Sequence, residues 1–300
     1  MCIRDSPSHP EAARGALAAA GCYVFWGVVP LYWKQLAHVD SYEVIAHRHV
    51  WSLVVLLLLL AARGGLKEVW PLLRSPRSAA YNAFAALLLT TNWLVYVIGV
   101  NTGHVTECSL GYYLVPLVNV LVGRFVLHET LRPAQWLAIG SAALGVFVLV
   151  VELGETPWIA ILLAGSWGAY SLMRKRSRLS GVTALSTETL LLSPLALGFL
   201  AWLAAEDRGI LGRGSAADHL LAMSMGLVTA IPLLLFAYGA QRIRLSTLGL
   251  LQYLSPSMQL ALGVIVFGEP FTAGRAVSFA CIWCGLALYT ADNLLRRKAA

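Results

Sequence analysis

The second half of this chain repeats its first, displaced by 140 positions, inside strongly apolar sequence. Tyr113-Leu114-x-Pro116 returns as Tyr253-Leu254-x-Pro256, Gly123 as Gly263, Glu129 as Glu269 and Gly145 as Gly285. The preceding segment obeys the same displacement: Tyr96 meets Phe236, Gly99 meets Gly239 and Asn101 meets Gln241. Near the start of each half, Trp26-Gly27 and Lys34 return as Trp167-Gly168 and Lys175, displaced by 141. A duplicated unit with an odd number of membrane crossings must insert its two copies in opposite orientations. Such inverted repeats build secondary transporters, with the substrate site between the copies.

The solvent for such a chain follows from its composition. It is 58% hydrophobic and 12% charged, about half the charge of a soluble domain, which carries roughly 25%. Its formal charge of +7 does not mark a nucleic-acid partner, because the Lys and Arg residues fall between apolar runs rather than along one face. The five cysteines are an odd number, and Cys281-x-x-Cys284 has no second pair to complete a four-ligand zinc site. They read as small packing residues, so neither metal nor cofactor is expected. Residues 1–14 open on a polar, proline-containing stretch and are expected to be a disordered or artefactual leader. Ala19-Ala20-Gly21-Cys22 faintly resembles a lipoprotein cleavage box. The apolar stretch, however, continues past Cys22 to Trp33, which a cleavable signal would not do.

A helix crossing about 30 Å of hydrocarbon needs roughly 20 apolar residues. Ten segments answer: 15–35, 41–62, 79–100, 106–127, 133–151, 157–174, 183–203, 217–240, 246–268 and 274–294. The predicted fold is an all-α membrane protein of ten transmembrane helices in a 5+5 inverted-topology repeat. Its halves are 15–151 and 157–294, with a basic tail at 295–300. With the N-terminus inside, cytoplasmic connections carry Arg63, Lys67, Arg74, Arg77, Arg132, Arg174, Lys175, Arg176, Arg178, Arg242 and Arg244. The opposite loops hold little beyond Lys34, Arg208, Arg213 and Arg275, amid Glu152, Glu155, Glu206 and Asp207. Positive charge on the inner side predicts both termini inside.

Polar groups within a span are costly unless paired or wet, so they mark the places to look for chemistry. Span two opens with Glu43, then His47 and Arg48; Glu43 and His47 are four apart and share a helix face. Glu43 at the start of span two and Glu188 at the start of span seven read either as mirror-related gates or as acids favoured by a helix N-terminus. Arg48 reads as an anchor for a substrate carboxylate or as a structural partner of Glu43 or Glu107. Span three places Asn92, Trp93 and Tyr96 at mid-depth, with Asn92 and Tyr96 on one stripe. A cavity for a small amphipathic molecule wants such a pairing; an interhelical hydrogen bond is the plain alternative.

The repeated prolines, Pro116 and Pro256, each remove a mid-helix backbone bond and expose a carbonyl one turn earlier, at Tyr112 and Gln252. Tyr113, Tyr253, Asn119 and Gln259 flank them in matching places. Interrupted helices in corresponding positions of two halves point to a transporter site, although simple kinks would look the same. Glu129 and Glu269, just before the last span of each half, read as acids stabilising the next helix start. Ser141-x-x-x-Gly145 has the small-residue spacing of helix packing or of a homodimer contact. Hydrolase, metalloprotease and ATP-binding motifs do not occur, so no enzyme is expected. Ion coupling is the expected energy source, with Glu43, His47, Glu107 and Glu188 as proton carriers.

Several of these stretches carry a resemblance. His47-Arg48-x-x-Trp51-Ser52, Asn92-Trp93, Ser109-Leu110-Gly111-Tyr112, Pro116-Leu117-Val118-Asn119 and Arg244-Leu245-Ser246-Thr247-Leu248-Gly249-x-x-Gln252-Tyr253 resemble the RarD branch of the EamA family, in the drug/metabolite transporter superfamily. The resemblance runs from about Gly15 to Asp292. It implies ten spans, a central cavity, residence in the inner membrane, and export of a small metabolite or an amphenicol-like drug. The chain departs from the pattern at Val115, where similar proteins commonly place an Asn. The expected partners are therefore a small-molecule substrate, the lipid bilayer and a coupling proton. The competing readings are a flippase for a lipid-linked carrier and a non-transporting assembly or regulatory protein.

Overall fold

A computed structural model describes residues 9–126, 132–153, 156–177, 179–240, 242–243 and 251–299. Every regular element among them is helical. The helices are α1 (His9–Gln35), α2 (Ser41–Ala62), α3 (Val69–Arg74), α4 (Pro76–Asn101), α5 (Val105–Val126), α6 (Pro133–Leu153), α7 (Trp158–Arg176), α8 (Gly181–Ala205), α9 (Gly209–Arg213), α10 (Ala216–Ala240), α11 (Leu254–Ala261) and α12 (Ala273–Ala299). A 3-10 turn, Leu66–Glu68, precedes α3, and a π-helical turn, Leu262–Val266, continues α11.

Local chemistry sets the ends. Asp40 caps α2 by accepting from the Tyr42 amide at 2.8 Å, and Ser180 caps α8 by accepting from the Thr183 amide at 3.1 Å. Proline opens α4 and α6, where its missing N–H costs nothing. Gly64 ends α2 in the left-handed region at φ +66°.

Six of these helices are long and apolar enough to cross a membrane: Glu11–Gln35, Ser41–Ala62, Pro76–Asn101, Pro133–Glu152, Gly181–Arg213 and Ala216–Phe236. Leu254–Val266 and Ala273–Leu288 are shorter apolar helices, and α5 and α7 occupy two further predicted spans. The distribution of polarity is that of a protein in lipid. Glu43, Asn92 and Glu188 are buried, while Leu220, Met223, Leu227 and Ile231 form an exposed stripe at helical spacing on α10.

The described chain forms two compact units, and each draws on both halves of the sequence. The first comprises residues 1–101 and 178–258; the second comprises 102–177 and 259–300. In the first, α2 packs against α8 and α10, and α1 against α10. The first turn of α2 meets the segment after α8 through Glu43 and Ile210; the first turn of α8 meets the segment after α2 through Thr183 and Glu68. The two helices therefore run antiparallel.

In the second unit α6 and α12 cross just as closely, through residues that the repeat relates. A Cβ on Gly145 would stand 2.7 Å from the Ser278 carbonyl oxygen, and one on Gly285 would stand 2.7 Å from that of Ala138. Ser141 Oγ donates to the Cys281 carbonyl at 2.6 Å. Ser141 and Cys281 are 140 apart, as are Ala138 and Ser278, and Gly145 and Gly285. The pairing is antiparallel and nearly self-symmetric, and it covers the Ser141/Gly145 stripe with α12 of the same chain rather than leaving it for a second copy. Gly145→Val is expected to cost about 1–3 kcal/mol by overpacking this crossing. Thermal unfolding in detergent measures it against Gly140→Val, a position with open space. Equal stability of the two variants would mean that the crossing gives way freely.

Candidate functional site

The first unit gathers the buried polar residues of span two. Glu43, His47, Arg48, His49 and Ser52 are all buried in the first half of α2. Glu43 Oε1 lies 3.6 Å from His47 Nε2, so the predicted shared face holds. Its carboxylate also accepts from the Ile210 amide at 2.5 Å. Glu43 thus serves the exposed N–H end of α9, while Asp40 caps its own helix. Gly209, at φ +68°, fits between them; a Cβ there would stand 2.5 Å from Glu43 Oε1.

Arg48 lies among aromatic rings. Its guanidinium carbon stands 3.8 Å from the centre of the Trp93 ring and 5.2 Å from that of Trp33, with the side chain buried. Beside it His49 is held at both nitrogens: Nδ1 is 3.0 Å from the Ile45 carbonyl, Nε2 is 3.0 Å from Thr90 Oγ1, and the ring meets Trp93 edge-on. Asn92 is fully buried and Tyr96 nearly so, both on α4. Span one thereby joins spans two and three through Trp33, a residue to which periodicity alone assigns no role. Glu188 is buried on α8, where neighbouring hydroxyls satisfy themselves: Thr187 donates to the Thr183 carbonyl, Thr189 to that of Leu185 and Ser193 to that of Thr189.

A cavity of about 810 Å³ opens in this unit among α2, α4, α8 and α9, within the size range of small-molecule sites. Glu43, His49 and Thr90 are polar groups in its wall; Leu87, Leu195 and Phe199 are apolar ones. Leu195 is 71% exposed and Leu87 52%, so this side opens toward the surroundings of the helices. Asn92, Trp93 and Tyr96 do not line it.

The second unit places the remaining residues differently. Glu107 accepts from the Ile159 amide at 3.0 Å and the Ala160 amide at 3.3 Å, holding the start of α7. Tyr113 packs edge-on against Phe279 and Trp283, an aromatic core contact. Tyr112 is half-buried and Gln259 buried. In the first unit, Gln252 and Tyr253 are half-buried just ahead of α11. Helix α5 runs through position 116 without a break, whereas Pro256 is the third residue of α11, so the chain is interrupted at Tyr253. The side chains of Pro116 and Asn119, and the whole of Glu129, lie outside the described residues.

Glu269 stabilises a helix start, but not the one that follows it in sequence. It accepts from the amides of Val105 at 2.6 Å and Thr106 at 2.8 Å, and from Thr106 Oγ1 at 2.7 Å. The chain reaches α5 because Gly268, at φ +66°, reverses direction after the π-helical turn. The Glu269 amide then closes onto the Gly263 carbonyl at 2.9 Å.

Buried polar residues inside long apolar helices, with outward faces of Leu, Phe and Ile, define a multi-pass helical membrane protein. The model of the EamA-like transporter family matches it twice, over residues 13–151 and 156–291. The chain belongs to that family, in the drug/metabolite transporter superfamily. Protein RarD of Streptomyces exfoliatus is 42% identical over 95% of this chain and 90% of its own length. An uncharacterized transporter of Vibrio cholerae is 39% identical over 98% of each chain. One crystal structure is similar in fold, with a TM-score of 0.59 at 23% identity over 91% of this chain and 96% of that one.

Proposed function

We propose that this transporter is a secondary exporter of the inner membrane that moves a small amphipathic metabolite or amphenicol-like drug by alternating access between two inverted five-helix repeats, 15–151 and 157–294. The observation that carries the reading is the double family match within one chain. It is supported by two antiparallel helix pairs: in α6 with α12 the contact joins the repeat-related Ser141 and Cys281, and in α2 with α8 the end contacts are made by the repeat-related Glu43 and Thr183, each to the segment after the other's helix. The ten apolar segments of the sequence support ten crossings, and the charge asymmetry of their loops supports both termini inside.

The substrate stripe in this reading is Asn92, Trp93 and Tyr96, with Tyr112, Tyr113, Asn119, Gln252, Tyr253 and Gln259 around the prolines Pro116 and Pro256. Arg48 contributes a cation held between indoles. Glu43, His47, Glu107 and Glu188 are the carrier set for a coupling proton.

Asn92→Ala and Tyr96→Phe are each expected to lower transport about tenfold, the cost of one lost polar contact, with normal folding and membrane level. The assay is purified protein in liposomes given amino acids, small metabolites and amphenicols, with and without an imposed pH gradient. Wild-type rates in both variants would reduce the stripe to packing. Accumulation indifferent to the gradient would remove the proton from the mechanism.

The cavity opening beside Leu87 and Leu195 favours a second reading, a flippase for a lipid-linked carrier, whose substrate would enter sideways. Transbilayer movement of a lipid-linked sugar in the same liposomes, with no movement of soluble compounds, would select it.

A further inference from the structure

We infer that Glu43 and the Thr183–Glu68 pair are reciprocal clamps at the two ends of the α2/α8 pair, and that their balance sets which membrane face is open. The inference rests on the alternating-access reading above.

Glu43 is the third residue of α2 and Thr183 the third of α8; they stand 140 apart, the displacement of the repeat. Each reaches the segment that follows the other's helix. Glu43 accepts from the Ile210 amide at 2.5 Å, in the short helix just after α8. Thr183 donates from Oγ1 to Glu68 Oε2 at 2.8 Å, in the 3-10 turn just after α2. The 22 residues of α2 separate the two contacts by about 33 Å, the thickness of a bilayer. One structural idea is thus executed twice in opposite directions. The chemistry differs at the two ends: a buried carboxylate on a backbone N–H at one, a hydroxyl on a carboxylate at the other.

A contact that appears once at each face, on helices that the repeat exchanges, has the geometry of paired gates. Releasing one should free the adjoining segment and let α2 and α8 settle toward the other. With the N-terminus inside, Glu43 guards the outer face and Thr183–Glu68 the inner. Gly209 belongs to the outer clamp, because a Cβ there would drive into the Glu43 carboxylate.

Hydrogen–deuterium exchange on the full-length protein in lipid nanodiscs tests this. Glu43→Ala should lower protection of residues 206–214 about tenfold and raise that of residues 64–74. Thr183→Val should do the opposite. Gly209→Ala attacks the outer clamp from its other side and should copy Glu43→Ala; it and Glu43→Gln stand in if the alanine variant does not fold. A merely structural contact loosens only its own segment, and that result, or loosening of both segments in either variant, overturns the inference. Reciprocal protection in a protein that moves no solute would keep the clamps and discard the transport reading. Transport without reciprocity would do the reverse.

Discussion

Arg48→Ala is expected to lower transport about a hundredfold and to destabilise the protein by about 3 kcal/mol. The side chain is buried, with its guanidinium over Trp93 and near Trp33. A desolvated cation over an indole gains about 2 kcal/mol or more, and truncating a large buried side chain leaves two rings facing a void. Arg48→Lys should keep the fold but still reduce transport, because an ammonium carries the charge without the planar surface that lies against the ring. Thermal unfolding and liposome transport separate the two effects. A double-mutant cycle of Arg48→Ala with Trp93→Ala should show a coupling of about 0.5–3 kcal/mol. Undiminished transport in Arg48→Ala would remove this residue from the substrate path, and zero coupling would remove the ring contact from the energetics.

Glu269→Ala should cost about 3–5 kcal/mol, the second large effect. One carboxylate accepts three short bonds from Val105 and Thr106, with Glu269 itself buried. Without it two amides at the head of α5 lose their partner, and the penalty is that of leaving buried donors unsatisfied, about 1–3 kcal/mol each. The expected fall in unfolding temperature is on the order of 10 °C. Thr106→Val, which removes only the hydroxyl, should cost about 1 kcal/mol. Equal melting of wild type and Glu269→Ala would show that solvent or lipid headgroups satisfy the amides instead.

The helical class and the apolar spans were legible because lipid demands long uninterrupted apolar runs, a signal local to each segment. What each polar side chain touches was not. The sequence assigns Glu269 to the helix start nearest in the chain, but a glycine at positive φ sends its carboxylate to a helix start some 160 residues earlier. Glu43 reads as a gate or as the cap of a helix start; the start it serves belongs to a five-residue helix too short to announce itself by periodicity. The aromatic neighbours of Arg48 come from spans one and three, which no spacing within span two can reveal. The repeat did hold a usable signal. Adding 140 to Glu43, Ser141 and Gly145 gives Thr183, Cys281 and Gly285, and those pairs occupy the helix contacts.

The interleaving of the two halves also bears on how the chain is made. Helix α2, with Glu43, His47 and Arg48 along it, leaves the ribosome long before the helix that packs against it. About 120 residues separate the end of α2 from the start of α8, so at roughly 5–20 residues per second α2 waits on the order of 6–25 s. During that interval its charged groups must be sheltered by the insertion machinery, by α1 and α4, or by water drawn into the bilayer. A ribosome stalled between residues 101 and 178 would therefore carry an incomplete nascent bundle, with neither compact unit yet assembled, and such a fragment would be a preferred substrate for membrane proteases.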